Sequence, residues 1–277
     1  MVSQIEKAQK FRALHVGPSA FVIPNPWDAG TARILTALGF SALATTSAGF
    51  AFSLGRRDGE GLVTREEALG HIRAIVAAGD LPVSGDLENG FGDDPTTVAE
   101  TIRLAAEAGL VGGSIEDATG YEEHPIYDQS RAVERIHAAV EAARALPFPF
   151  TVTARAENFL HGIYDLDDTI RRLTAFSAAG ADVLYAPGLR NLDEIRAVCT
   201  AVAPKPVNVL ASTNGLTAAD MAAAGARRIS IGSGLSRAAF GGFLAAAREM
   251  KEHGSFSFTR IGPTFAELNN FMAGRQP

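Results

Sequence analysis

Paired carboxylates end two apolar runs of this 277-residue chain. In Pro82-Val83-Ser84-Gly85-Asp86-Leu87-Glu88, Asp86 and Glu88 flank Leu87, so on a strand both point to one side. Ser114-Ile115-Glu116-Asp117 closes in the same way, about thirty residues on, which is one βαβ step. If both runs are parallel strands of one sheet, Asp86, Glu88, Glu116 and Asp117 converge at its C-terminal edge. Four acids in one place repel unless a cation sits among them, and hard oxygen donors suit Mg²⁺ or Mn²⁺. Helix capping does not need Asp86 or Glu88, because Asp93 or Asp94 already stands before Pro95. A third run, Thr153-Ala154-Arg155-Ala156-Glu157, ends on an arginine that is costly to bury without anionic company. Its guanidinium can grip a substrate carboxylate bidentately, or pair with Glu157 or Glu116, and the two roles are compatible.

Smaller groups sit around these. Ser47-Ala48-Gly49 could hold a carboxylate through hydroxyl and amide donors, and Trp27 and Phe91 could cover the opening. Gly85, Gly90 and Gly92 fit close backbone approach to a ligand better than a phosphate cradle. Between Ala118 and Asp128 lies a long polar stretch placed to close over the acids as a lid, with Tyr121, Glu123 and His124 as candidate proton donors. His15, His71, His137 and His253 read as surface or packing residues, and His161 is left open. Lysines occur only at 7, 10, 205 and 251, none at the end of an apolar run. That excludes Schiff-base and pyridoxal chemistry. Cys199 falls inside a helical pattern, which argues against thiol catalysis.

The elements that must position these groups repeat. Helical patterns end in small residues and a glycine at Gly39, Gly79, Gly109, Gly180 and Gly225, then hand over to a β-branched run. Strands are predicted near 20–26, 41–47, 82–88, 111–117, 150–156, 182–187, 206–211 and 228–232. Helices are predicted near 29–38, 64–78, 95–108, 129–145, 166–179, 191–202, 217–224 and 235–252. Runs such as Phe150–Ala154 lack a wet face, as parallel strands covered by helices should. Eight βα units in one domain over 1–277 predict a closed (β/α)₈ barrel, with a helical extension from about 235. A doubly wound open sheet is the rival, weakened by the lack of a Gly-rich fingerprint after the first strand. In the barrel, strand ends carry Asn25, Trp27, Asp28, Thr45, Thr46 and Ser47, then the acids and Arg155, then Asn208, Ser212, Thr213, Asn214, Ser233, Ser236 and Arg237. Phe256, Phe258, Phe265, Leu268, Phe271 and Met272 predict that the tail packs on something. Net charge is −6, with no basic stripe, no apolar run of membrane length and a single cysteine. These point away from nucleic acid, membranes and disulfides, towards a cytoplasmic protein.

Taken together, Pro24-Asn25-Pro26-Trp27-Asp28-Ala29, Gly39-Phe40, Thr45-Thr46-Ser47, Leu54-Gly55-Arg56-Arg57-Asp58, Asp86 to Asp93, Ile115-Glu116-Asp117 and Ala154-Arg155-Ala156-Glu157 resemble the isocitrate lyase/phosphoenolpyruvate mutase superfamily over residues 8–250. The resemblance implies a (β/α)₈ barrel whose last helix is exchanged between subunits, giving dimers and a homotetramer. It implies Mg²⁺ held, directly or through water, by Asp86, Glu88 and Glu116 with Asp58 nearby. It places a small carboxylate substrate against Thr46, Ser47, Ala48 and Arg155. Trp27 and Asn208, at strand ends, are further candidate substrate-binding groups. Arg155, Asp58, His124 and Tyr121 are the catalytic candidates. The shared chemistry makes or breaks a C–C or C–P bond beside an enolpyruvate-type anion. The lyases' Lys-Lys/Arg-Cys-Gly-His lid run is missing, since Ala118 to Asp128 holds neither Cys nor Lys. An in-step count from Glu116-Asp117 puts His124 at the mutases' lid asparagine, and Pro187 at a mutase histidine. The expectation is a Mg²⁺-dependent C–C lyase of a 2-oxo or 2-hydroxy di- or tricarboxylate. Rivals are a C–P mutase or hydrolase and a non-catalytic 2-oxo acid binder.

Overall fold

The computed structural model describes residues 2–211 and 215–275. Ser212, Thr213 and Asn214, expected at the mouth after the seventh strand, lie outside the described residues. Eight short strands, β1 (Phe21–Ile23), β2 (Leu43–Ala44), β3 (Val83–Asp86), β4 (Gly112–Glu116), β5 (Thr151–Arg155), β6 (Val183–Tyr185), β7 (Val207–Leu210) and β8 (Arg228–Ser230), form one parallel sheet ordered β1-β8-β7-β6-β5-β4-β3-β2. The remaining gap, between β1 and β2, is bridged by the Ala44 amide donating to the Pro24 carbonyl (3.1 Å) and the Asn25 amide to the Thr45 carbonyl (2.9 Å). The result is a nearly closed (β/α)₈ barrel, and all eight strands fall inside the predicted runs.

The helices are α1 (Gln4–Val16), α2 (Ala29–Ala37), α3 (Ser47–Ser53), α4 (Arg65–Ala77), α5 (Pro95–Glu107), α6 (Gln129–Arg144), α7 (Leu166–Ala178), α8 (Leu192–Ala201), α9 (Ala218–Ala223), α10 (Gly234–His253) and α11 (Phe265–Met272). Asp94 caps α5 with Pro95 at its first turn, as its sequence dictates. Gly39, Gly109, Gly180 and Gly225 take the left-handed conformation that closes a helix; Gly79 does not. Its carbonyl instead receives the buried Lys7 Nζ at 3.0 Å.

Two helices were not anticipated. α1 carries Ala8 and Phe11 into a cluster with Ile23, Ala42 and Val111, and so closes the N-terminal end of the barrel. α3 fits between β2 and α4, capped by Thr46, with Ser47 at its start bonded to Asp86 at the end of β3. Beyond β8, α10 extends with Phe243 67% and Leu244 49% exposed. α11 folds back on α2, where Arg33 Nη1 donates to the Met272 carbonyl (2.9 Å). The tail therefore does pack, although Phe256 and Phe265 stay bare. No helix among the described residues is long and apolar enough to cross a membrane.

Candidate active site

Arg155 is the hub of the barrel mouth. Standing at the end of β5, its Nη1 meets Asp86 Oδ1 (2.9 Å), its Nη2 meets Glu116 Oε2 (3.0 Å) and its Nε meets Glu157 Oε1 (2.9 Å). Strand pairing makes this possible: Glu116 is the register partner of Arg155, and Asp86 that of Ser114 on the intervening strand. Three carboxylates hold the guanidinium charged, pushing its pKa further up against the cost of burial.

Asp86 also accepts, on Oδ2, the backbone N–H (3.0 Å) and hydroxyl (2.9 Å) of Ser47, while its own amide donates to Thr45 Oγ1 (2.8 Å). The unanticipated α3 thus aims its first turn at the acids. Thr46, Ser47 and Ala48 line a cavity of ≈ 270 Å³ reaching into the barrel, together with Asp58, Asp86, Arg155, Tyr185 and Asn208. The Ala48 amide sits in the first turn of α3, where no intrahelical carbonyl is available to it. A wider cavity of ≈ 730 Å³ lies outside, sharing Ser47, Asp58 and Arg155, and lined further by Glu88, Glu116, Tyr121 and His161.

Glu88 sits in the left-handed region (φ 49°), a backbone state that costs a side-chain-bearing residue about 1 kcal/mol or more. The buried Arg135 of α6 secures the loop that follows, donating to the carbonyls of Asn89, Gly92 and Asp93. Burial first, then the charges of Asp86 and Asp58, push the Glu88 carboxyl up to about 7. Asp58, at the rim, is raised by desolvation and by Asp86. Glu116 is raised well above the usual range by burial, which Arg155 opposes and Glu157, Asp86 and Glu88 reinforce. Five carboxylates against one guanidinium leave surplus negative charge at the mouth, all of it on hard oxygen donors. That donor set fits Mg²⁺. Among the described residues no three of His, Cys, Asp and Glu close around a single ion. The fit is therefore to an ion held partly through water, as Mg²⁺ prefers.

Other expected residues lie elsewhere. Asp117 turns away from the mouth: Oδ1 accepts from the Glu157 amide (2.8 Å) and Oδ2 from Arg172 Nη1 (3.0 Å), so it ties β4 to α7. Residues 118–126 form a small hairpin through an Ala118–Ile126 bridge. Tyr121 lines the outer cavity from it, whereas His124 is exposed and its carbonyl accepts from the Thr119 hydroxyl. Trp27 does not line the inner cavity; its carbonyl accepts from His71 Nε2 (2.7 Å). Asn208 does line it, with its amide committed to Ser230 Oγ and Arg228 Nε (2.9 Å each). Sequence reasoning passed over Tyr185 and Arg228, which also wall this cavity. Their signal was the register that carries Arg155 on to Tyr185, Asn208 and Arg228, visible only once strands are paired.

A family model described as phosphoenolpyruvate phosphomutase matches residues 11–251. The 2-methylisocitrate lyase of Bacillus subtilis is 30% identical over 219 residues, which are 76% of this chain and 68% of the lyase. The 2,3-dimethylmalate lyase of Eubacterium barkeri is 30% identical over 69% of this chain and 66% of its own. Among solved structures, oxaloacetate acetylhydrolase with its product oxalate superposes with a TM-score of 0.87 at 26% identity, over 96% of this chain and 94% of that one. A Burkholderia cenocepacia protein described provisionally as a lyase/mutase gives 0.94 at 60% identity, over 98% and 96%.

Proposed function

The chain belongs to the phosphoenolpyruvate phosphomutase family, and from that membership we propose that it is a Mg²⁺-dependent lyase cleaving a C–C bond of a small 2-oxo or 2-hydroxy di- or tricarboxylate. The observation that carries this reading is Arg155 held by Asp86, Glu116 and Glu157 beside surplus acid at the mouth of a barrel. Bound among Asp86, Glu88 and Glu116, with Asp58 nearby, Mg²⁺ (or Mn²⁺) would supply Lewis-acid polarisation of the substrate's C1 carboxylate and C2 oxygen. The Ala48 amide orients that carboxylate, beside a Ser47 whose own donors are held by Asp86. Arg155 opposes the negative charge that grows on the enolate oxygen as the bond breaks. Tyr121 and His124, on the hairpin, are the proton-donor candidates, and closure of that hairpin would exclude water.

A hydrolase acting on an oxaloacetate-like acid is the second reading, favoured by a hairpin that holds neither cysteine nor lysine. One assay separates the outcomes: a panel of 2-oxo and 2-hydroxy di- and tricarboxylates with Mg²⁺, then with EDTA. Turnover that vanishes in EDTA and returns with Mg²⁺ is expected; an EDTA-insensitive rate, or tight binding without turnover, defeats the reading. The same reading makes the chain a subunit of a homotetramer in the cytoplasm, built by exchange of the C-terminal helix. Bare Phe243 and Leu244 on α10 and a single cysteine support it.

A further inference from the structure

A charge at the bottom of the inner cavity is left unanswered. Arg228, the first residue of β8, is 5% exposed and lines that cavity. Its Nε donates to Asn208 Oδ1 (2.9 Å), its Nη2 to Thr153 Oγ1 (3.1 Å), and its Nη1 faces His15 Nε2 (3.4 Å). All three partners are neutral: the His15 ring bonds the Phe11 carbonyl through Nδ1, and burial beside Arg228 pushes its pKa down to about 3. Among the described residues no carboxylate pairs with Arg228. Burial lowers its pKa to about 10; Tyr185 opposes this, and Arg155 pushes the same way as burial across the cavity. A buried guanidinium without an acid is expensive, and removing that expense takes an anion.

The barrel leaves room for one. Inward positions of such barrels are ordinarily filled by branched apolar side chains. Here Ala44, Ser84 and Ser114 stand there, and the inner cavity runs past them to Arg228. Strand pairing sets one polar row along it and on to the outer cavity, Glu116, Arg155, Tyr185, Asn208 and Arg228, of which the last four line the inner cavity. The row starts at the last residues of β4, β5 and β6 and finishes on the first residue of β8, so it runs from mouth to floor.

We propose that Arg228 is a specificity-determining residue that binds the second carboxylate of the substrate at the cavity floor, with Asn208 as its positioning residue. This rests on the lyase reading above, in which the first carboxylate is held at Ala48 and Arg155. The enzyme then selects diacids over monoacids, because only a second carboxylate answers the buried charge.

The test is calorimetric titration, with Mg²⁺ present, of two matched pairs: malate against 2-hydroxybutyrate, and 2-oxoglutarate against 2-oxopentanoate. Each pair differs by a carboxylate in place of a methyl. In at least one pair the diacid is expected to bind about 10- to 100-fold more tightly, the worth of a buried charge-assisted contact. Arg228→Met should bring that ratio to about one. Asn208→Asp, which supplies an internal counter-charge at constant size, should do the same without unfolding the protein. Ratios near one in the parent, or a ratio that survives both substitutions while only the melting temperature moves, overturn the proposal. Oxalate, which needs only the mouth, reports the underlying reading separately. Oxalate binding without diacid preference removes the floor site alone, whereas no oxalate binding removes the lyase reading and the floor site with it.

Discussion

One arginine answering three acids defines the residue scale. With Arg155 in place, Asp86, Glu116 and Glu157 each have a cation within about 3 Å; without it that cation is lost, and only the Ser47 donors to Asp86 remain of the contacts described above. Arg155→Met should therefore cost about 3–5 kcal/mol in thermal or urea unfolding, the usual penalty for stranding buried charge. Arg155→Lys restores the charge but not the planar fork, so it should fold nearly as well and lose about 100-fold or more in kcat/KM. Equal losses of stability in the two variants would contradict this. Asp86→Asn removes a charge that Ser47, Arg155 and the proposed ion all meet, and should abolish any rise in melting temperature that Mg²⁺ gives the parent. Sequence patterning placed Asp86, Glu88, Glu116 and Arg155 together because strand alternation and βα spacing are local properties. It misplaced Asp117, because one further residue past β4 faces the opposite way, and only α7 supplies the Arg172 that receives it.

Helices decide what the strand ends can do. α3 brings Ser47 and Ala48 to the acids, and its seven residues were too short to show a periodicity. α1 plugs the floor with Phe11 and holds His15 against Arg228. It was missed because its apolar residues are sparse and Lys7, polar in the sequence, is buried in the fold. His15 gives this element a pH signature. Its pKa lies near 3 in the folded protein and near 6.5 when unfolded, so the unfolded chain binds the proton first as pH falls. Stability is then complete above about pH 6.5 and drops by up to about 1.4 kcal/mol per pH unit towards pH 3. His15→Gln, which cannot titrate, should flatten the melting-temperature profile between pH 6.5 and 5 relative to the parent. An unchanged slope would show that other groups set it. On α6, Arg135→Met frees three loop carbonyls after β3, and should weaken Mg²⁺ binding by loosening Glu88 without touching the mouth.

At the scale of the whole molecule, the C-terminal arm is where large apolar side chains stay exposed. Phe243 and Leu244 on α10 and Phe265 on α11 present apolar surface that a second copy can bury. If helix exchange builds the assembly, the parent should elute as a tetramer in light-scattering chromatography, and Phe243→Asp should give smaller species at micromolar concentration. A parent that stays monomeric would end that proposal. The eight-fold rhythm, the barrel and the acid–arginine mouth were legible in the sequence, because burial pattern, helix-closing glycines and strand alternation are written within a few residues of each site. That Asp117 is tied to Arg172, and that Asn208, Tyr185 and Arg228 adjoin one another along the inner cavity, was decided only by the tertiary structure. Which residue of one strand lies beside which residue of the next depends on register and tilt around a closed sheet, and no local spacing in the chain encodes that.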